Sequence, residues 1–196
     1  MADSVVLNGL PWPLPGHHDV AERLLSCWRE PHRSYHGVQH LAECLAAARQ
    51  LGAAPVELLA LWFHDARHTN TPGLDEEASA ALARDYLHRL LPAHKVAAVE
   101  RLVLLTLRHL PEPGDRAGAI VCDADLWVLG ADPARYIESV GQLRDESGLT
   151  DEQWATMRRE QLALRIAAPI YHTQPGRARE PWARANLLAE LGRLAG

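Results

Sequence analysis

The run Leu58-Leu59-Ala60-Leu61-Trp62-Phe63 contains no polar residue, and the two positions that follow it are His64 and Asp65. A segment that is apolar on every side must lie inside a core. A carboxylate carried in with it is costly unless it is paired, hydrogen-bonded or bound to a metal. Any fold open to this chain must therefore bring a partner to Asp65 in its interior. His36, His40, His109, Asp123 and Asp125 recur in similarly apolar surroundings. One bound cation would compensate the whole set.

The chain has 31 Ala and 31 Leu against 11 Val and 4 Ile, a balance that favours helices over strands. The expected fold is all-α, and 196 residues without repeats or a composition shift fit a single domain. Residues 1–16, with Pro11, Pro13 and Pro15, are too proline-dense for a helix and are expected to lie over the surface as an extended arm. Residues 17–196 form the helical domain. Gly, Pro and capping signals divide it into helices over about 19–30, 38–51, from Pro55 through the His64-Asp65 pair, 75–91, 93–110, 119–129, 133–147, 151–168 and 180–194. Thr150 and Gln153 have capping-box spacing.

A net charge of -5 gives no basic signature for nucleic acid or an anionic membrane. No apolar stretch approaches the length of a membrane span, and no leader is visible at the N-terminus. Cys27, Cys44 and Cys122 are odd in number and widely spaced, so buried free thiols in a cytoplasmic protein are expected. Self-association into a homo-oligomer is compatible with this composition.

A metal site in a helical bundle draws its ligands from helices distant in sequence. His40, then His64 and Asp65, then Asp125 offer that arrangement. Two imidazoles and two carboxylates without thiolate suit Mn²⁺, Fe²⁺, Co²⁺, Ni²⁺ or Zn²⁺, and Mg²⁺ is less favoured by imidazole. His36 and His40 are four apart and would share a helix face, leaving either as the ligand. Asp123 and Asp125 diverge by about 200° on one regular helix, so only one can face the ion.

The ordered series Arg33-Ser34-Tyr35-His36 with His40, Trp62-Phe63-His64-Asp65, Asp75-Glu76-Glu77-Ala78-Ser79-Ala80, Thr106 with His109, and Asp123-Ala124-Asp125-Leu126 resembles the HD-domain metal-dependent phosphohydrolases. More narrowly, it resembles a small bacterial branch known as predicted HD-superfamily metal-dependent hydrolases. Leu129-Gly130, Arg144 with Glu146, and Glu180, Ala183-Arg184, Asn186-Leu187 and Glu190 extend the likeness over about Arg33 to Glu190. The chain departs from the branch at Arg67-His68, where a valine-tyrosine type pair is usual, and at Asp75, where Asn is.

The resemblance implies an HD-like helical bundle with His40, His64, Asp65 and Asp125 as metal ligands. Asp123 would then orient a ligand or serve as an alternative one. A metal-activated water would hydrolyse a phosphate ester or anhydride of a small molecule, nucleotides included. His36 and His109 would hold phosphoryl or leaving-group oxygens, with Arg33 neutralising the phosphate and Glu76 and Arg144 nearby. Glu76 and Glu77 equally suit the first turn of a helix. Two rival functions are a regulatory module that binds metal or nucleotide without chemistry, and a dinuclear oxidase in which His36 and His109 help to hold a second ion. A purely structural bundle would leave the buried acids and imidazoles without compensation.

Overall fold

The structure is a computed structural model that describes residues 5–7 and 9–194, with side chains from Gly9 onward. It is 69% helical, and among the described residues nine α-helices are joined by short loops. The order is β1 (Val5–Leu7), β2 (Leu10–Trp12), α1 (His18–Trp28), α2 (Val38–Gln50), α3 (Pro55–Phe63), α4 (Leu74–Leu87), α5 (Ala93–Leu105), α6 (Arg116–Asp125), a 3₁₀ turn (Leu126–Gly130), α7 (Pro133–Ser147), α8 (Asp151–Ala167) and α9 (Gln174–Leu194). No helix among the described residues is long and apolar enough to cross a membrane.

Local chemistry fixes the helix ends. Asp132 caps α7 through Ala134 N (2.9 Å), Pro133 occupies its first turn, and Gly148 ends it with φ of 64°. The Thr150/Gln153 capping box opens α8. Asp115 accepts from Gly118 N at the head of α6 and is held by Arg101. The last helix begins at Gln174 rather than near Glu180, and Pro181 lies within it. Thr173 Oγ1 caps it through Gly176 N (3.0 Å), and the Asp123 carboxylate takes the His172 and Thr173 amides. That cap moves the start upstream of the proline.

The N-terminal segment corrects the arm reading where it is described; residues 1–4 and Asn8 lie outside the described residues. β1 and β2 pair antiparallel, and Leu10, Trp12 and Leu14 are buried in the main core. Trp12 packs edge-on against Trp62 at 5.0 Å, and Trp62 Nε1 donates to Pro11 O at 3.0 Å. An indole of this size finds its burial in a groove between helices, and the proline-rich backbone supplies the acceptor that Trp62 needs.

Two cores result. The larger gathers Trp12, Trp28, Trp62 and Phe63 with the helices from α1 to α6; the smaller gathers Tyr136, Leu162, Ile170, Tyr171, Ala183 and Leu187 from the C-terminal half. Trp127, in the 3₁₀ turn, packs against both. The candidate site lies where this turn leaves Asp125. Cys27, Cys44 and Cys122 are free thiols, the last two buried.

Candidate metal centre

α3 stops at Phe63, so His64 and Asp65 occupy a turn at its end instead of a continuing helix. The expectation that the helix carries both residues is corrected here. His64 Nδ1 donates to Leu61 O (2.8 Å), because a carbonyl only accepts. This leaves Nε2 to face the interior. Arg33 holds the turn from outside: its Nη1 donates to Asp65 O (2.6 Å) and His36 O (3.0 Å), its Nη2 to Ala66 O (3.3 Å), and its Nε to Glu30 (3.0 Å).

Around His64 Nε2 the structure assembles the other three residues expected from sequence. Asp65 Oδ2 is 2.9 Å away, His40 Nε2 3.3 Å and Asp125 Oδ1 3.4 Å. His40 Nε2 lies 3.0 Å from Asp125 Oδ1 and 3.6 Å from Asp65 Oδ2. Metal–ligand bonds near 2.1 Å place neighbouring donors about 3.0 Å apart in an octahedron and about 3.4 Å apart in a tetrahedron. The observed edges of 2.9–3.6 Å fit either. With Nδ1 fixed as a donor, a neutral His64 would aim the Nε2 lone pair at two carboxylates, so a proton or a cation must stand between them. His40, His64 and Asp125, together with Cys44, form a group able to hold a metal ion, and Asp65 lies against both imidazoles of that group.

Exposure divides the four donors. The side chains of His40 and His64 are 2% and 1% exposed, whereas Asp65 and Asp125, at 17% and 12%, reach a cavity of about 680 Å³. Burial would lower the pKa of His64, but the charges of Asp65 and Asp125 outweigh it and hold the imidazole well above its usual range. Burial would likewise raise Asp125; the charge of His64 and hydrogen bonds from His109, His40 and His64 hold it well below the ordinary carboxylate range. Asp65 is lowered against its burial by His64 and His36. Cys44 enters the group through its thiol. Its Sγ is 3.6 Å from both ring nitrogens of His40, so it sits off the Nε2 lone-pair axis. Burial, reinforced by Asp125 and Asp65, pushes this thiol well above its usual value.

The remaining candidates separate. His109 joins the centre: its Nε2 donates to Asp125 Oδ2 (2.7 Å), it lines the cavity, and its backbone is left-handed with φ of 54°. The His172 ring supports it through His109 O (3.0 Å). His36 lines the same cavity from the loop before α2, while its Nδ1 bonds Glu146 Oε1. Glu76 lines the cavity too, with Oε2 committed to Gly73 N (2.5 Å) at the head of α4.

Three expectations need correction. The Arg33 side chain is 0% exposed and its donors are bound to Glu30 and to carbonyls, so it fastens the His64-Asp65 turn and has no donor to offer a phosphate. Arg144 pairs with Asp151 near the start of α8, away from the cavity. Asp123 is fully buried and accepts from His172 N (2.7 Å), Thr173 N (2.8 Å) and Thr173 Oγ1 (2.6 Å). It holds the start of α9 and touches none of the four donors.

Sequence reasoning missed how His36 is held. Glu146 accepts four hydrogen bonds: from the amides of Tyr35 (2.9 Å) and His36 (3.1 Å) at Oε2, and from the rings of His36 and His68 at Oε1 (3.0 Å for His68). The two rings stack at 4.1 Å. Burial pushes Glu146 up, but these donors prevail and hold it far below its ordinary value. Glu146 stood out only through the resemblance, and His68 only as a departure from it.

Fold and site together define an all-α domain with a buried two-His, two-Asp centre opening onto a cavity. Comparisons with protein-family models, with curated proteins and with solved structures find no match.

Proposed function

We infer that the chain is a metal-dependent phosphohydrolase acting on a phosphate ester or anhydride of a small molecule. The observation that carries this reading is the convergence of the Asp65 and Asp125 carboxylates on His40 and His64, with His–His and His–Asp distances of 2.9–3.6 Å and the carboxylates facing a cavity. Those four residues would hold a divalent ion, for which imidazole favours Mn²⁺, Fe²⁺, Co²⁺, Ni²⁺ or Zn²⁺ over Mg²⁺. A bound ion of this kind supplies an acidified water and polarises a phosphoryl oxygen. His109 fixes the second oxygen of Asp125 and so aims the first at the centre. Glu146 fixes Nδ1 of His36 as a donor, which leaves Nε2 to accept or deliver a proton at the leaving-group oxygen. Arg33 keeps the backbone of Asp65 in place.

Elemental analysis of protein purified without chelator tests this reading, together with turnover of phosphomonoesters, cyclic nucleotides and nucleoside triphosphates. About one equivalent of metal is expected, and Asp65→Ala should lose metal and turnover while circular dichroism stays helical. An Asp65→Ala protein with unchanged metal and turnover would refute it. Ligand binding without turnover would favour a regulatory module. A second reading, the dinuclear oxidase, is favoured by the adjacent group His36, His68 and Glu146, whose donor atoms also cluster. Two metals per chain and visible-range iron absorption would select it.

A further inference from the structure

α8 turns one face to the cavity, where Arg158, Gln161, Leu162 and Arg165 follow the spacing of a helical stripe. The two arginines on this face differ. Arg158 forks onto Glu190 at 2.8 and 3.1 Å, so its charge is already matched. Arg165 is half-buried, lines the same cavity as Asp65 and Asp125, and has no hydrogen bond or ion pair among the described residues. Burial lowers its pKa, and Asp125 acts in the opposite sense. A guanidinium keeps its proton in such a place, and an unmatched cation there favours an anionic ligand.

About half of the wall is apolar, and Tyr35, His36, Glu76, Arg108 and His109 add polar groups to it. Leu126, Leu129, Leu143 and Leu162 line it, and the exposed Leu107, Leu110 and Leu164 stand at its rim. Its two side-chain hydroxyls outside the tyrosines are engaged with their own helices, Thr106 on Val103 O (2.7 Å) and Ser139 on Tyr136 O (2.7 Å). Gln161 is the single amide among the described lining residues. Reading a nucleobase takes several free donors and acceptors, whereas a leucine wall suits a hydrocarbon body.

We propose that the cavity takes a soluble phosphate monoester with an apolar body, an alkyl or aryl phosphate rather than a nucleotide, and that Arg165 supplies its counter-charge. This rests on the phosphohydrolase reading of the same centre. The substrate class follows from an unmatched guanidinium beside the carboxylates of the proposed metal site, and from leucines that offer hydrophobic contact where the threonine and serine hydroxyls are engaged and one amide is present.

Calorimetric titration with non-hydrolysable phosphonates tests the proposal, on metal-loaded and on chelated protein. Octylphosphonate and phenylphosphonate should bind at least about tenfold tighter than methylphosphonate or adenosine monophosphate. Arg165→Gln should weaken octylphosphonate about tenfold or more, with metal content and helicity unchanged. Arg108→Gln, at the exposed rim, should weaken it less. Equal binding of methyl- and octylphosphonate, tightest binding of adenosine monophosphate, or an Arg165→Gln protein that binds like wild type would overturn the proposal. So would sedimentation with phosphatidic acid vesicles when soluble octylphosphonate fails to bind. Chelated protein separates the two readings: a chain that never takes up metal refutes the phosphohydrolase, while its Arg165-dependent preference for octylphosphonate is still measured.

Discussion

Replacing Asp125 with Asn tests the centre without depending on any substrate. The exchange keeps the shape of a side chain whose Oδ1 lies 3.0 Å from His40 Nε2 and 3.4 Å from His64 Nε2, and removes its charge. Disturbing even a group that only orients a ligand weakens metal binding about 10- to 100-fold, so losing an anionic donor should cost 100-fold or more. Binding stabilises the folded chain by RT ln(1 + [L]/Kd), about 2.7 kcal/mol when free metal is at 100 times Kd. For a domain of this size each kcal/mol moves Tm by about 2–4 °C, so wild type should gain about 5–11 °C over its chelated form. At the same free metal, a 100-fold weaker Asp125→Asn site retains about 0.4 kcal/mol, or about 1–2 °C. Differential scanning fluorimetry with each of Mn²⁺, Fe²⁺, Co²⁺, Ni²⁺ and Zn²⁺ reads both shifts. Each protein is compared with its own chelated form, so a change in baseline stability cancels. Equal shifts in the two proteins, or no shift in wild type with any of these ions, would refute the assignment.

Other predictions follow from named contacts. Trp12→Ala removes a fully buried indole from the main core and should cost about 3–5 kcal/mol, or about 6–20 °C in Tm; a loss under 2 °C would return the N-terminal segment to the surface. Arg33→Met leaves the carbonyls of His36, Asp65 and Ala66 without their donor, at about 1–3 kcal/mol for each buried group left unpaired, and should weaken metal binding about tenfold by loosening Asp65. Unchanged affinity in a metal titration would mean that the turn holds itself. Glu146 is lowered on folding from an ordinary value of 4.5, so its contribution to stability is complete above that pH and drains away as pH falls towards the lowered folded value. The gap in urea midpoint between wild type and Glu146→Gln should therefore be widest near neutrality and narrow below about pH 4.5. A gap that does not change with pH would contradict this.

How much of this was legible depended on whether a residue's role is local. Thr150 with Gln153 and Pro133 ahead of Gly148 announce their helix ends, because those bonds span only a few positions. The start of α9 was partly legible in Thr173 and Pro175, which fit an N-cap and a first turn, but Pro181 drew the boundary too late. Trp12 could not be placed from its surroundings. Three prolines exclude a helix without saying whether the chain then covers the core or enters it, and the acceptor that settles the matter, Pro11 O, serves a donor 51 positions away. The arginines show the same limit. Charge and spacing do not distinguish Arg33, bound on every side, from Arg165, which has no hydrogen bond among the described residues, since the difference lies in which carbonyls and carboxylates the fold brings alongside.

The His64-Asp65 pair shows most clearly why local and distant information had to combine. Adjacent residues on a continuing helix diverge by about 100°, which would send one side chain of the pair away from any common centre. The chain has no proline or glycine to end α3 there; Pro72 and Gly73 come later. What ends it is a set of competing acceptor contacts. His64 turns its own ring onto Leu61 O, Ala66 N closes a tight turn onto Phe63 O (2.9 Å), and Arg33 takes the Asp65 and Ala66 carbonyls that a further helical turn would have used. Breaking the helix between Phe63 and Asp65 lets both side chains of the pair reach one point, and Arg33, with its donors engaged by Glu30 and backbone carbonyls, is thereby a condition for the centre to form.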